Sequence, residues 1–320
     1  MSKRAKIWII VAASCVFIGA IMFFVAMENL NWDFRKLSTI KYENKKYDIE
    51  QSFKDIEINT DTADITLLPS NDSSCSLVIG ENETMNYSVL VKDGRLTIDV
   101  ADMRKWYNIG ISFESPKLIL YMPAGEYGSL LIKDITGDVE ISKDFSFESI
   151  DISVTTGDVK NYASAVNDLK IKSTTGDIGI ENISAVSISA SVGSGKIVAS
   201  GIGSAGDVKL DVRTGNIRIS DAECKNFISG GTTGDVLLKG VIVKEKMDIS
   251  RNTGDIKLEL CDAGEIALKS TTGDVKGSLL SNKVFITDTD TGRVDVPETI
   301  TGGKCKITTD TGDIKIVIKE

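Results

Sequence analysis

The chain has 320 residues, of which 42% are hydrophobic and 6% aromatic, with 28 glycines, 4 prolines and a net charge of −9. It has no histidine, so it lacks the usual general base and the commonest metal ligand, which disfavours many hydrolases and metalloenzymes. The acidic balance also argues against a nucleic-acid partner and against binding along an anionic membrane surface.

The first predicted element is a membrane-spanning helix. Ile7–Met27 contains no charged residue, and a helix of that length rises roughly 31 Å, enough to cross a bilayer. The cations of the first six positions place the N-terminus in the cytoplasm and the rest of the chain outside. A cleaved signal peptide is disfavoured because the apolar run is long and lacks a small-residue cleavage pattern. Residues 1–27 are therefore predicted to be a cytoplasmic tip and transmembrane helix, and residues 28–47 a juxtamembrane stalk.

Residues 48–129 are predicted to hold one degenerate coil of the repeat described below and an inserted antiparallel β layer. Thr62-Ala63-Asp64-Ile65 matches the repeat with alanine in place of glycine. Asp93-Gly94 indicates a hairpin turn. The layer is expected to cover the N-terminal end of the array, where an open β edge would promote aggregation. Its strand candidates are Leu77–Ile79, Tyr87–Val91, Leu96–Val100 and Lys117–Met122.

Residues 130–320 carry an internal repeat, a Thr-Gly-Asp-Val/Ile element that recurs every 19 or 20 residues. The residue before the repeat glycine is threonine or, once, serine, and the residue two places after it is always valine or isoleucine. The residue seven places before it is always apolar. The repeat glycines are Gly137, Gly157, Gly176, Gly195, Gly215, Gly234, Gly254, Gly273, Gly292 and Gly312.

This pattern predicts an all-β fold, a parallel β-solenoid of about 11 coils. Apolar residues alternate with polar ones on both sides of the glycine, which is typical of short strands buried on one face. A segment this short buries its apolar face only when successive coils stack about 4.8 Å apart. The coils are expected to stack in chain order. The last strand, Ile314–Ile318, is then the edge, where Lys315 and Lys319 discourage further pairing.

The N-terminal apolar run, the Ile56–Thr60 segment, the Leu118–Pro123 strand and the Thr-Thr-Gly-Asp-Val series together resemble a bacterial family. It is the membrane-anchored β-strand-repeat family of unknown function that is labelled "putative adhesin". The resemblance covers residues 48–320 and implies a β-solenoid ectodomain at the cell surface. Some members of that family lie in operons that respond to cell-envelope stress, and the family supplies no catalytic residues.

The most prominent candidate site is a ladder of aspartates that follow the repeat glycines. Stacked carboxylates repel one another, and a bound cation such as Ca²⁺ would relieve that repulsion. The other interpretation is that they cap the turns, which is favoured because Lys196, Asn216 and Arg293 interrupt the series. The ladder comprises Asp138, Asp158, Asp177, Asp235, Asp255, Asp274 and Asp313.

Three other features have a structural and a functional interpretation. The threonine ladder is interpreted as strand-forming residues with stacked hydroxyls rather than as an ice-like water-ordering surface. Trp32 is interpreted as a membrane-interface residue, and Trp106-Tyr107 as packing residues or a binding patch. Among the cysteines, Cys305 is expected to be a buried hydrophobe, and Cys224 and Cys261 lie too many coils apart for a disulfide.

The sequence therefore predicts a non-enzymatic, single-pass cell-surface solenoid, an adhesin or an envelope-stress interaction module. Its partners are other envelope or surface components, protein or glycan. No cofactor is predicted, and no catalytic, cofactor-binding or metal-binding residue is assigned. The alternative is a β-helix lyase or hydrolase that uses paired aspartates on adjacent coils.

Overall fold

The computed structural model describes residues 2–38, 40–82, 85–102 and 115–319. It begins with helix α1 (Lys3–Asn29), whose N-terminus is capped by the Ser2 hydroxyl, which accepts the N–H of Ala5 at 3.3 Å. The helix is long and apolar enough to cross a membrane, and none of its most apolar stretch is buried against the protein. A single 3₁₀ turn follows at Phe34–Leu37.

The remaining elements are strands. Those before the regular repeats are β1 (Glu43–Ile49), β2 (Asp55–Thr62), β3 (Asp64–Pro69), β4 (Cys75–Glu81), β5 (Met85–Lys92), β6 (Arg95–Asp102) and β7 (Lys117–Met122). Those of the first repeats are β8 (Gly125–Thr136), β9 (Val139–Ile141), β10 (Phe145–Thr156), β11 (Val159–Asn161), β12 (Ser164–Thr175), β13 (Ile178–Ala185), β14 (Ser187–Ser194), β15 (Ile197–Ser204) and β16 (Asp207–Thr214). The last are β17 (Ile217–Cys224), β18 (Asn226–Thr233), β19 (Val236–Thr253), β20 (Ile256–Thr272), β21 (Val275–Leu279), β22 (Lys283–Thr291), β23 (Val294–Asp295), β24 (Gly303–Thr311) and β25 (Ile314–Ile318).

Successive coils stack in parallel and in register, which confirms the predicted all-β solenoid. Each coil pairs the strand before its glycine with the same strand of the next coil, and the strand after the glycine likewise. The apolar position seven residues before the glycine forms one buried column, because the pairing aligns these side chains one above another. The column contains Leu130, Ile150, Leu169, Ile188, Val208, Phe227, Met247, Ile266 and Cys305.

The repeat glycine is required by the approach of two coils. All ten repeat glycines have a φ between 120° and 159°, a region that side chains rarely adopt. A Cβ atom on Gly215 would stand 1.7 Å from the carbonyl oxygen of Gly195 in the adjacent coil. The backbone at this corner is therefore in direct contact from coil to coil, and only glycine fits there.

The return segment of each coil forms a third buried side that the sequence analysis did not identify. Its inward positions lie seven and nine residues after the glycine and hold small or medium apolar residues, including Ile183, Ala222, Cys224, Val241 and Cys261. A second corner precedes it, where five successive coils place a residue with φ between 52° and 61°. These residues are Asn182, Gly201, Asp221, Gly240 and Leu260.

At the N-terminal end, β2 and β3 form a coil that lies directly on the first regular repeat. Ile56 pairs with Leu130, and the carbonyl of Ala63 lies against Gly137 as the carbonyl of a repeat glycine would. β6 and β7 add parallel strands on the other side of this coil. β5, β4 and β1 then pair antiparallel, and the β5–β6 hairpin turns at Asp93-Gly94.

At the C-terminal end, the stacking order differs from the order of the chain. β24 lies between β20 and β22, so the coil of Gly312 is inserted between those of Gly273 and Gly292. The expectation that Ile314–Ile318 forms the edge is therefore wrong, because β25 pairs with β21 on one side and with β23 on the other. The inserted coil is the more apolar of the two, which explains why it takes the interior place in the stack. It buries Ile307, whereas the outermost coil has Thr287 at the equivalent position.

Candidate functional site

The aspartates of the ladder cap the turns of neighbouring coils. The Oδ1 atom of Asp64 and of each ladder aspartate accepts the backbone N–H of the residue that follows the repeat glycine of the adjacent coil. The distances lie between 2.7 and 3.2 Å, for example 2.8 Å from the Asp158 nitrogen to the Asp138 oxygen. The same bond joins Asp274 to the Asp313 nitrogen across the inserted coil. Each of these carboxylates therefore satisfies a turn amide that the strands leave unpaired.

The interruptions of the ladder show what this position requires. Asn216 accepts the Asp235 N–H at 2.8 Å with its amide oxygen, so a neutral acceptor serves as well as a carboxylate. Lys196 donates its backbone N–H to Asp177 and also places its ammonium 3.0 Å from that carboxylate. The pKa of Asp274 is lowered, first by the hydrogen bond from Lys276. These contacts fit the interpretation as caps, and no cluster of three metal-ligating side chains occurs among the described residues.

A second column of polar groups lies three residues before the glycine, on the buried side. Hydroxyl groups at this position donate to the carbonyl of the repeat glycine in the adjacent coil, as Ser270 donates to Gly254 at 3.1 Å. The same bond is made by Ser173, Thr289 and Thr309. In these four coils the hydroxyl thus satisfies the carbonyl at the corner, while the Asp ladder satisfies the N–H.

Asp134 occupies this hydroxyl column at the junction between the β2–β3 coil and the first repeat. Its side chain is buried, Oδ1 accepts the Thr60 hydroxyl at 2.6 Å, and Oδ2 has no hydrogen-bond partner. Burial, with a smaller contribution from the nearby Asp61 and Asp64, raises the pKa of this carboxyl to about 6. A buried carboxyl with an unpaired oxygen favours the protonated form.

Asp134 also lines an open groove on the outer face of the β2, β6, β8, β10 and β12 strands. The groove has a volume of about 680 Å³ and includes Asp61, Asp99, Lys133 and Lys172. Charges of both signs and several hydroxyl groups line it, so it presents no single strong potential. Asp134 lies beneath this surface with only 4% of its area exposed, and it cannot transfer a proton to a ligand in the groove.

Arg251 is a buried cation in the same column, farther along the solenoid. Its guanidinium occupies the space that a side chain on Gly231 would fill, and it donates to the Ser229 hydroxyl at 3.1 Å and to the Ser250 carbonyl at 3.3 Å. Its Nε atom has no partner, and burial lowers its pKa. Arg251 was not predicted from the sequence, although it is an arginine at a position that most other coils fill with valine, serine or threonine.

Of the tryptophans and cysteines that the sequence singles out, those in the described ranges have structural positions rather than a common site. Trp32 is half exposed and packs edge-on against Phe24 of helix α1, with ring centroids 5.6 Å apart. Trp106 and Tyr107 lie outside the described residues. All five cysteines are free, and burial raises the pKa of the Cys224 and Cys305 thiols to about 12, so these two are unreactive packing groups.

Several solved structures are similar to this chain at low sequence identity. A putative adhesin from Bacteroides fragilis is 17% identical, with 87% of this chain and 97% of that chain covered and a TM-score of 0.43. A putative adhesin from Parabacteroides distasonis is 12% identical over the same shares, with a TM-score of 0.42. A putative lipid binding protein from Parabacteroides distasonis is 16% identical, covering 86% and 97%, with a TM-score of 0.40.

A search of curated proteins finds no match to this chain. The sequence pattern of one family, described as Toastrack DUF4097, matches it twice, over residues 53–210 and 185–320. The two matches overlap and together span residues 53–320, which hold strands β2 to β25 and every regular repeat. The chain therefore belongs to the Toastrack DUF4097 family.

Proposed function

We propose that this protein is a non-enzymatic, single-pass membrane protein whose solenoid lies outside the cell and binds other envelope components. The observation that carries the proposal is helix α1. From Ile7 to Val25 its large apolar side chains are exposed, with Trp8 at 72% and Val16 at 74%. Side chains of this kind need a hydrocarbon environment, and the cations before Ile7 orient the helix with its N-terminus inside.

The architecture of the solenoid supports a binding role over a catalytic one. The enzyme alternative needs two aspartates on adjacent coils, one of them as a protonated acid. The ladder aspartates are instead engaged as acceptors of backbone N–H groups, and the pKa of Asp274 is lowered rather than raised. Asp134, whose pKa is raised, is buried away from any ligand. We therefore propose a surface that recognises rather than converts its partner.

Orientation and anchoring are tested together by cysteine labelling on intact cells. In a Cys15→Ser/Cys75→Ser background, Ser2→Cys and Lys41→Cys place one thiol on each side of helix α1, while the buried Cys224, Cys261 and Cys305 serve as unreactive positions. A membrane-impermeant maleimide is expected to label the cell-bound Lys41→Cys variant and to label Ser2→Cys only after lysis. Labelling of Ser2→Cys on intact cells would reverse the orientation, and release of the domain into the medium would indicate a cleaved signal peptide.

A role in the response to cell-envelope stress is a further part of this proposal, because some members of the family that the sequence resembles lie in operons that respond to such stress. It predicts that transcription of the gene rises when cell-wall synthesis is inhibited. Quantifying the transcript before and after addition of a wall-active antibiotic tests it, and an unchanged level would remove the stress association while leaving the surface role in place.

A further inference from the structure

Four aromatic rings gather at one corner of the N-terminal region, although they are far apart in the sequence. Tyr127 lies at the centre, with ring centroids 6.2 Å from Phe53, 6.1 Å from Phe145 and 5.8 Å from Phe147. The Phe53 and Tyr127 rings are nearly parallel, with an angle of 26° between them. The hydroxyl of Tyr127 donates to the Pro123 carbonyl at 2.7 Å, which fixes the orientation of the ring.

Phe145 and Phe147 are buried, whereas Phe53 and Tyr127 are only partly buried and line a cavity of about 510 Å³. This volume lies within the range of about 300–1,000 Å³ that is usual for small-ligand sites. The cavity is bounded by the connections β1–β2, β3–β4 and β7–β8, so three separate loops contribute to it. Ile49 and Pro123 complete its apolar wall.

The rim of the cavity carries polar side chains that are free to bind. Glu50, Gln51 and Ser73 line it and make no side-chain hydrogen bond with any other residue in the described ranges. Asp48, also on the rim, has its carboxylate 2.7 Å from the ammonium of Lys46 and is largely exposed. The rim therefore offers carboxylate oxygens, an amide and a hydroxyl next to a stacked aromatic wall.

This combination is complementary to a sugar ring. A pyranose presents an apolar face of C–H groups that packs on an aromatic ring, and its hydroxyl groups donate to carboxylate and amide oxygens. An acyl chain would leave the rim groups unused, and an acidic ligand would be repelled by Asp48 and Glu50. We propose that this cavity binds a neutral or amino-substituted saccharide, with one ring packed on Phe53 and its hydroxyl groups held by Glu50 and Gln51.

The inference rests on the proposed surface role and names the class of partner. It is tested with the full chain in lauryldimethylamine oxide micelles, because a sugar-based detergent would compete for the site. Three tetrasaccharides serve as probes: cellotetraose, the tetramer of N-acetylglucosamine, and its deacetylated form. Isothermal titration is expected to show saturable binding of at least one, and the comparison of the last two separates neutral from amino-sugar recognition.

Two variants connect binding to the cavity. Phe53→Ala removes the stacking ring. The double variant Glu50→Ala/Gln51→Ala removes two exposed side chains that make no hydrogen bond or ion pair with the described residues, so we expect it to fold. Each is expected to weaken binding at least tenfold, while Asp158→Asn, on the ladder, leaves it unchanged. Failure of all three probes to bind, or undiminished binding by both variants, would overturn the proposal. If either of these results is obtained while the cysteine labelling places the domain outside the cell, the proposed surface role stands and only the proposed sugar site fails.

Discussion

Replacing Asp134 with asparagine is expected to stabilise the protein at neutral pH, which is the reverse of the usual effect of a buried substitution. A Cβ atom on Gly137 would stand 2.8 Å from Asp134 Oδ2 and 2.1 Å from the Ala63 carbonyl oxygen, so these two oxygens lie on the same side of the corner. In other coils a hydroxyl donates to that carbonyl. The ionised carboxylate has no proton to donate, whereas an asparagine amide does, and its oxygen still accepts from Thr60.

The magnitude follows from the pKa of Asp134, which rises from the model-peptide value of 3.8 to about 6 in the fold. A shift of about two units corresponds to roughly 3 kcal/mol between the two protonation states, and the group is too buried for solvent to screen it. Because the folded-state pKa is the higher one, the folded state holds the proton more tightly. The carboxyl therefore does not destabilise the fold below pH 3.8, and the penalty grows from there until it is complete above about pH 6.

The charged and titratable groups around Asp134 set the expected direction. Asp61 and Asp64 repel the carboxylate, the Thr60 hydroxyl stabilises it, and Lys133 and Lys172 line the same groove. Tyr87 also couples to it electrostatically, and its pKa is raised mainly by burial. Burial and the neighbouring aspartates outweigh the hydroxyl and favour the neutral acid.

The assay is urea unfolding of the full chain and of Asp134→Asn in micelles at several pH values. Other carboxylates titrate alike in both proteins, so the difference between their free energies of unfolding isolates Asp134. That difference is expected to grow by roughly 2 kcal/mol between pH 4 and pH 7, with the variant more stable. A difference that stays constant with pH would show that Asp134 is not perturbed, and a less stable variant at pH 7 would show that the carboxylate has a partner.

Substitutions at four further positions test the packing, and those at Gly215, Asp158 and Arg251 have a matched control. Gly215→Ala is expected to destabilise the fold by about 3 kcal/mol or more, because its Cβ would meet a backbone carbonyl and its φ is 130°. The control Gly179→Ala, whose Cβ would have no neighbour closer than 3.9 Å, is expected to be nearly neutral. Equal effects of the two substitutions would contradict the contact between coils at Gly215. Asp158→Ala should lower the free energy of unfolding by about 2 kcal/mol and Asp158→Asn by less than half of that, since the amide oxygen keeps the cap. Arg251→Ala leaves a buried cavity and should cost about 3 kcal/mol, but Arg251→Met fills it without an unpaired charge and should cost about 1 kcal/mol or less. Leu260→Asn should stabilise by about 1 kcal/mol, because leucine is strained at a φ of 53° where the other coils use asparagine, aspartate or glycine. Chemical denaturation midpoints measure all four, and a destabilised Leu260→Asn would mean that the leucine side chain contributes packing.

The regular part of the solenoid was predictable because each coil repeats the same constraints at the same spacing. The return segment was not, since its inward positions hold isoleucine, alanine, valine or cysteine and its corner accepts several residue types. The order of the last two coils was not predictable either, because exchanging two coils of one repeat leaves every register intact. Which of the two coils lies outermost depends on small differences in the hydrophobicity of their inward side chains, such as Thr287 in one and Ile307 in the other.

The same reasoning explains why the proposed sugar site was missed. Periodicity identifies residues that do the same thing in every coil, and those residues are committed to packing and capping: the inward columns, the glycine corner and the aspartate oxygens. A ligand site needs side chains that differ from coil to coil and meet only through the fold. Phe53 comes from the β1–β2 connection and Tyr127 from the start of strand β8, and the Thr-Gly-Asp-Val/Ile pattern includes neither of them. Recognition is therefore expected where the repeat is interrupted, in the N-terminal layer, while the regular coils act as a rigid support whose outward positions vary without loss of stability.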